Sequence, residues 1–143
     1  MKVKIKKLHP DAKMPRRGSE HSACFDLYAT ETVTMVGRQI EGVKVPTGLA
    51  FEIPNGYCGI VYSRSSLALR AFNITPLVVE SDYRGELFVI VRPDIRSNEF
   101  VEIQKGERVG QIMLQKLEPT EFEWAEELSK TNRGTNGYGS TGK

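Results

Sequence analysis

The backbone architecture follows most directly from Gly42-Val-Lys-Val-Pro-Thr-Gly-Leu-Ala-Phe-Glu-Ile-Pro-Asn-Gly-Tyr-Cys-Gly-Ile-Val-Tyr62. Three short apolar runs, at residues 42–45, 49–53 and 58–62, are separated here by Pro-Thr-Gly and Pro-Asn-Gly. Proline and glycine in such positions are typical of tight turns. Short runs rich in β-branched and aromatic residues between turns are typical of strands. This part of the chain therefore predicts consecutive strands joined by turns.

Short apolar runs between turns also occur on both sides of this stretch. Further apolar runs lie at residues 3–8, 24–28, 87–91, 101–103 and 109–117. A spacing of about ten residues is typical of an all-β sandwich or barrel. Helix is predicted only at residues 65–70, where Ser65 or Ser66 would cap a Leu-Ala-Leu-Arg segment. The sequence thus predicts an all-β domain with one helical turn.

Composition limits the domain count and the class of partner. The chain has 143 residues, 39% of them hydrophobic, which suits one globular domain with a modest core. We expect the β-domain to span residues 1–128 and the polar residues 129–143 to form a flexible arm. The net charge is +2 and charges of both signs are interspersed, which would attract nucleic acid weakly. Aromatic residues make only 8% of the chain, which disfavours a single-strand-binding barrel.

Cysteine content and hydropathy indicate the cellular compartment. No apolar run approaches membrane-spanning length, and the N-terminus lacks a signal-peptide segment. Cys24 and Cys58 are too few for a disulfide framework and lack metal-ligand spacing. We therefore expect no membrane partner and a soluble, reducing compartment, the cytosol or the nucleus.

Asp26 lies inside a predicted strand, between Phe25 and Leu27. A carboxylate there is costly unless it is paired or faces a water-filled site. Two interpretations stay open. Asp26 either bonds to a turn or sits near a magnesium ion, contacting it through water, because hard cations prefer oxygen ligands.

The segment Arg64-Ser65-Ser66 places a guanidinium group and two hydroxyls at the start of the predicted helical turn. Free backbone N–H groups at such a position favour an anion. Helix capping alone would explain the serines but not the arginine. The combination indicates an anion-binding function.

The polar segment Glu80-Ser-Asp-Tyr-Arg-Gly85 is predicted to be the tip of a β-hairpin between residues 77–79 and 87–91. It is either a solvated turn or a site in which a carboxylate orients water and an aromatic ring packs on a sugar or base. Gln111 is a polar exception inside another apolar strand.

Residues 133–143 form a glycine-rich segment, Arg133-Gly-Thr-Asn-Gly-Tyr-Gly-Ser-Thr-Gly-Lys143. Glycine-rich loops let backbone N–H groups converge on phosphate oxygens. Dinucleotide-binding and P-loop motifs require a helix directly downstream, and none follows here. The segment is therefore either a disordered end or a phosphate-binding loop of another kind.

In order and spacing, these segments resemble the five motifs of the trimeric dUTP diphosphatase (dUTPase) family, from Ser22 to Gly142. The most specific matches are Arg64-Ser-Ser-Leu-Ala68, Ser81-Asp-Tyr-Arg-Gly-Glu86, and Arg133-Gly134 with Gly137-Tyr-Gly-Ser-Thr-Gly142. The resemblance implies a distorted jelly-roll or β-barrel subunit with a mobile C-terminal arm, and a homotrimer with active sites shared between subunits. It also implies Mg²⁺-assisted hydrolysis of dUTP to dUMP and pyrophosphate. That activity would limit uracil incorporation into DNA and supply dUMP for thymidylate synthesis.

The resemblance assigns roles to matching residues. Glu80, Arg64 and Gln111 would be catalytic, with Glu80 orienting the water that attacks the α-phosphorus. Asp26 would contact the magnesium ion through water. The substrate-binding residues would be Ser65, Ser66, Asn73, Val78, Val79, Tyr83, Arg133, Tyr138, Gly139 and Ser140.

Within that set, each part of dUTP would have its own contacts. Ser65 and Ser66 would line the phosphate channel, and Arg133 would contact the phosphate chain. Tyr83 would pack on deoxyribose and exclude a 2′-hydroxyl, while Tyr138 would stack on uracil. The backbone of residues 78–79 would read the base edge.

The chain departs from the family pattern before the Tyr-bearing turn. Leu77-Val-Val-Glu80 stands where Gly-Val-Ile-Asp is usual, so the carboxylate is one methylene farther out. A misplacement of about 1 Å can cost on the order of a hundredfold in rate. A second hypothesis is therefore a nucleotide-binding regulatory or interaction protein with weak hydrolysis. A related dCTP deaminase would need a catalytic glutamate where this chain has Phe88-Val-Ile90.

Overall fold

The computed structural model describes residues 1–137. Over that range the chain forms eleven strands and one helical turn. The elements are β1 (Lys4–Lys7), β2 (Phe25–Tyr28), β3 (Val33–Val36), β4 (Val43–Pro46), β5 (Leu49–Glu52), β6 (Tyr57–Tyr62), α1 (Ser65–Ala68), β7 (Phe72–Ile74), β8 (Leu77–Val79), β9 (Phe88–Pro93), β10 (Phe100–Ile103) and β11 (Arg108–Lys116).

The strands form two larger sheets and two ribbons, all antiparallel. The larger sheets have the orders β2-β11-β6-β8 and β4-β9-β7. The ribbons are β1-β5 and β10-β3. Because β11 lies between β2 and β6, it joins segments that are distant in the sequence.

One hydrophobic cluster draws side chains from all four sheets and from α1. Along β9, fully buried residues alternate with half-buried or exposed ones, which is the expected pattern for a strand with one face on a core. The most deeply buried members of the cluster include Leu27, Val45, Val61, Leu67, Val89, Val91, Ile103 and Val109.

The predicted all-β class is confirmed, and most apolar runs form strands close to their predicted bounds. The sequence did not predict β3 or β7. Both are short and have an exposed polar residue at a central position, so their apolar signal is weak. No helix within residues 1–137 has the length and apolarity needed to cross a membrane.

The predicted hairpin between residues 77–79 and 87–91 is wrong. β8 pairs with β6, whereas β9 pairs with β4 and β7. The segment between β8 and β9 therefore crosses from one sheet to the other. A local pattern of two apolar runs around a polar turn does not specify which strands pair, because the partners here come from elsewhere in the chain.

Candidate active site

Asp26 is a buried carboxylate paired with two arginines, and the three residues are here named the Asp26 cluster. Asp26 is only 7% exposed. Its Oδ1 lies 2.8 Å from Arg64 Nε, and its Oδ2 lies 3.4 Å from Arg108 Nη1. Burying an unpaired carboxylate would be costly, and two guanidinium groups offset that cost.

Strand register brings this cluster together. Asp26 on β2 lies opposite Gln111 on β11, and Gln111 lies opposite Tyr62 at the end of β6. The chain then leaves β6 and reaches Arg64 two residues later. Gln111 Nε2 donates a hydrogen bond of 2.7 Å to the Ser63 carbonyl. The Gln111 amide therefore holds in place the segment that presents Arg64.

Arg108 reaches Asp26 through an irregularity in β11. The β2–β11 register shifts between Arg108 and Gly110, as it does at a β-bulge. A bulge redirects the side chains around it and is common beside functional sites. The sequence predicted no role for Arg108, for which the only signal was an arginine directly before an apolar strand.

The two serines do not cap the helical turn, so that prediction is wrong. Arg64 itself occupies the N-cap position in extended conformation, with φ −101° and ψ 141°, and makes no side-chain cap. Ser65 and Ser66 are exposed, and Arg64 Nη1 donates to Ser66 Oγ at 3.4 Å. Both hydroxyls are thus accessible to a ligand beside a guanidinium group.

Cys24 lies beside this cluster but is not suited to nucleophilic chemistry. Burial raises the pKa of its thiol, and the negative charge of Asp26 raises this pKa further. A thiol with a raised pKa stays protonated near neutral pH and is a poor nucleophile. Cys24 and Cys58 are both free thiols.

The described side chains do not form a direct metal cage. Within residues 1–137, no group of three or more His, Cys, Asp or Glu side chains is arranged to hold a metal ion. Asp26 offers one carboxylate, and both its oxygens already face arginines. Such a donor set would suit a Mg²⁺ ion held through water, with Asp26 as the carboxylate that would accept from a water ligand.

A second group of predicted residues lines a cavity of about 340 Å³. Val78, Val79, Glu80 and Tyr83 all contribute to its wall. Tyr83 is 46% exposed, so much of its ring is available to a ligand. The remaining lining residues are Lys44, Leu77, Glu86, Leu87, Phe88 and Ile90.

Hydrogen bonds fix the segment that carries Tyr83. The Tyr83 amide donates to the Glu80 carbonyl at 3.2 Å, and its hydroxyl donates to the Glu86 carbonyl at 3.0 Å. Arg84 Nη1 donates to the Ser81 carbonyl at 2.6 Å. Glu86 Oε1 in turn accepts from the Gly48 amide at 2.8 Å. The Tyr83 ring is therefore held in one position above the cavity.

Close packing against Gly85 makes this position testable. A β-carbon at Gly85 would lie 2.6 Å from Tyr83 Cζ, so the ring would have to move. We expect Gly85→Ala to lower kcat/KM by about 100-fold for the substrate that the sequence resemblance implies, since a shift of about 1 Å has that effect. Gly18→Ala is a matched control because its β-carbon would meet only Ser22 Oγ, at 3.7 Å. Equal kinetics for the two variants would contradict a role for the Tyr83 ring.

The two groups of residues do not meet within one chain. On β6, Leu77 of the cavity wall pairs with Val61, next to Tyr62, whereas Val79, from which the chain continues to Glu80 and Tyr83, pairs with Gly59. Gln111 pairs with Tyr62, three residues along β6 from Gly59. This offset corresponds to about 10 Å along the strand. The cavity beside Tyr83 also shares no lining residue with the Asp26 cluster.

Other predicted residues lie apart from both groups. Asn73 is exposed on β7, opposite Arg92, and is not part of the cavity wall. Arg133 is exposed, and its Nε donates to the Asn136 carbonyl at 3.0 Å. Tyr138, Gly139 and Ser140 lie outside the described residues.

Comparisons with known proteins agree over almost the whole chain. The sequence profile of the dUTPase family matches residues 10–142. The deoxyuridine 5′-triphosphate nucleotidohydrolase of Fusobacterium nucleatum is 42% identical over 146 residues, which cover 99% of both chains. That of Helicobacter pylori strain P12 is 40% identical and covers 99% of this chain and 97% of the relative.

Solved structures give the same result. The dUTPase of Staphylococcus bacteriophage 80alpha, solved with dUPNHPP, superposes with a TM-score of 0.91 at 26% identity, covering 99% of each chain. A G164S mutant of that phage dUTPase with dUpNHpp gives a TM-score of 0.90 at 25% identity. The profile match and the full-length relatives together show that the chain belongs to the dUTPase family.

Proposed function

We propose that this chain hydrolyses dUTP to dUMP and pyrophosphate by attack of water on the α-phosphorus. The observation that carries the proposal is the convergence of Asp26, Arg64 and Gln111 from three separate motifs. Arginine and hydroxyl groups around a buried carboxylate suit a phosphate chain with an associated cation. Positioning and charge neutralisation supply most of the catalysis in such reactions.

At the phosphate end, the partly buried guanidinium of Arg64 donates to the exposed hydroxyl of Ser66. We assign Ser65, Ser66 and Arg64 to the phosphate oxygens, and Gln111 to the same channel. Arg108 stays paired with Asp26, so that Arg64 is free to bind an anion without leaving the carboxylate unpaired. When bound, Mg²⁺ would neutralise charge on the phosphate oxygens.

At the nucleoside end, the cavity beside Tyr83 suits a sugar and a base. We assign the ring of Tyr83 to the deoxyribose, against which it would exclude a 2′-hydroxyl. The backbone of residues 78–79 is assigned to the base edge. Glu80, exposed on the same cavity wall, orients the attacking water as a general base.

The separation of these two groups supports a shared active site. A dUTP molecule bound between subunits would use the Asp26 cluster of one protomer and the Tyr83 cavity of another. We therefore propose a homotrimer with three such sites. The arm at residues 129–143 would bring Arg133, Tyr138, Gly139 and Ser140 over the bound nucleotide. Asn73, which lies outside the cavity wall, would contact uracil only across such an interface.

The test is release of pyrophosphate from dUTP in the presence of Mg²⁺, measured in parallel with dCTP, dTTP and UTP. We expect release from dUTP alone. Absence of release above background, together with retained binding of dUTP, would instead support the nucleotide-binding regulatory protein, for which the Glu80 substitution is the motivating observation. Ammonia release from dCTP would indicate a deaminase.

The arm can be tested by truncation. All residues from 118 to 137 are exposed, and β11, the last strand of the described part, ends at Lys116. We expect a protein that ends at Leu128 to keep its fold and assembly state but to lose dUTP hydrolysis by at least about 100-fold, because the lid's contacts and water exclusion are lost. Circular dichroism and size-exclusion chromatography provide the control. Full activity after truncation would refute the lid.

A further inference from the structure

Three arginines that the proposed active site does not use line a second concavity. Arg38, Arg92 and Arg96 contribute to a cavity of about 250 Å³ between the β3–β4 and β9–β10 connections. All three are exposed. Its other lining residues are Gly37, Gln39, Ile40, Pro93, Asp94 and Ile95. None of them belongs to the Asp26 cluster or to the Tyr83 cavity.

Backbone hydrogen bonds and close packing hold the two connections together. The Gly37 amide donates to the Glu99 carbonyl at 2.9 Å, and the Ile95 amide donates to the Gly37 carbonyl at 3.1 Å. A β-carbon at Gly37 would lie 2.8 Å from the Ser97 carbonyl oxygen, so the approach requires glycine. This packing fixes the backbone that presents Arg38 and Arg96 before any ligand binds.

The positive charges in this concavity are only partly compensated locally. Within residues 1–137, Arg38, Arg92 and Arg96 take part in none of the ion pairs, which all involve other side chains. With the single carboxylate of Asp94, the lining has a net charge of +2. Like charges that line one concavity repel one another. A bound anion would relieve that repulsion.

We propose that these residues, here named the arginine cradle (Arg38, Arg92 and Arg96), form a second anion site that binds a polyphosphate chain. The ligand is either inorganic pyrophosphate or the phosphate tail of a nucleotide. Arginine presents a planar fork of donors that matches phosphate oxygens, and three forks suit a chain of linked phosphates.

The dimensions and the lining limit the ligand further. Pockets for drug-sized molecules usually exceed about 300 Å³, and this one is smaller. It offers no aromatic side chain on which a base could stack. The site is therefore expected to bind phosphate groups irrespective of the base attached.

The test is an amide NMR titration of the full chain with inorganic pyrophosphate and, separately, with ATP. We expect saturable shifts at Gly37, Asp94 and Ile95 with both ligands, in addition to any shifts at the Asp26 cluster. The variant Arg38→Gln/Arg92→Gln/Arg96→Gln should weaken binding at these amides about ten- to hundredfold. The control Lys2→Gln/Lys6→Gln/Lys116→Gln removes the same charge from exposed positions elsewhere and should leave these shifts unchanged.

Several outcomes would overturn the proposal. One is no shift at residues 37–40 and 92–96 with pyrophosphate up to about 10 mM. Another is equal loss of binding in the lysine control, which would show a general charge effect. A third is tighter, strongly salt-dependent binding of a single-stranded oligonucleotide at the same amides, which would assign the cradle to nucleic acid. The readout is local to the cradle, so it does not depend on whether dUTP is hydrolysed.

Discussion

Glu80→Gln should lower kcat for dUTP by about 10²- to 10⁴-fold, the usual contribution of a general base. Glutamine keeps the size of the side chain but cannot accept a proton from the attacking water. The side chain of Glu80 is exposed and forms none of the ion pairs found in residues 1–137. The loss should therefore appear in kcat, with little change in stability or in the affinity for a non-hydrolysable dUTP analogue.

A companion variant tests the length of the side chain. Glu80→Asp should hydrolyse dUTP at least as fast as the unmodified protein, because it restores the shorter carboxylate that the family resemblance implies. Asp82→Asn, an exposed carboxylate two residues away, is the control for charge. Slower turnover of Glu80→Asp would show that the backbone here is placed for the longer side chain. An unchanged kcat for Glu80→Gln would remove Glu80 from the mechanism.

Asp26→Asn should have the second large effect, on stability and activity together. It leaves Arg64, whose side chain is 19% exposed, without a charged partner. Removing one member of a buried ion pair costs about 3–5 kcal/mol. Arg108 is half exposed and can rehydrate, so we expect a loss of about 2–4 kcal/mol in the free energy of unfolding. Urea denaturation measures it.

Glu52→Gln is the matched control, because Glu52 forms an exposed pair with Lys4 at 2.9 Å. It should leave the unfolding midpoint almost unchanged. Hydrolysis by Asp26→Asn should also fall, at temperatures where the variant remains folded, because Arg64 loses its orientation. Stability equal to the control would contradict the structural role of the pair, and unchanged kinetics would contradict its role in the site.

The sequence could predict the fold class because each strand is indicated by the pattern of residues within its own segment. Apolar runs such as residues 58–62, separated by Pro and Gly turns, report a period that each segment carries by itself. The same holds for the motif that bears Arg64 and for the one that bears Tyr83. Their residue types and order sufficed to indicate the family without any knowledge of contacts.

No such local pattern indicates which strands pair with one another. The expected hairpin between residues 77–79 and 87–91 was wrong because β8 finds its partner in β6 and β9 finds its partners in β4 and β7. Which strands pair depends on how the apolar faces of all the sheets combine into one core. No window of sequence contains that information.

For the candidate site, too, some features follow from the sequence and others only from the tertiary structure. The sequence by itself determined an all-β chain of the dUTPase family and named Asp26, Arg64, Gln111 and Tyr83, because residue type and spacing are properties of the chain alone. Only the tertiary structure decided that Arg108 joins Asp26 and that Tyr83 lies apart from both. The physical reason is that β11 pairs with β2 and β6 at once, which turns residues distant in sequence into neighbours.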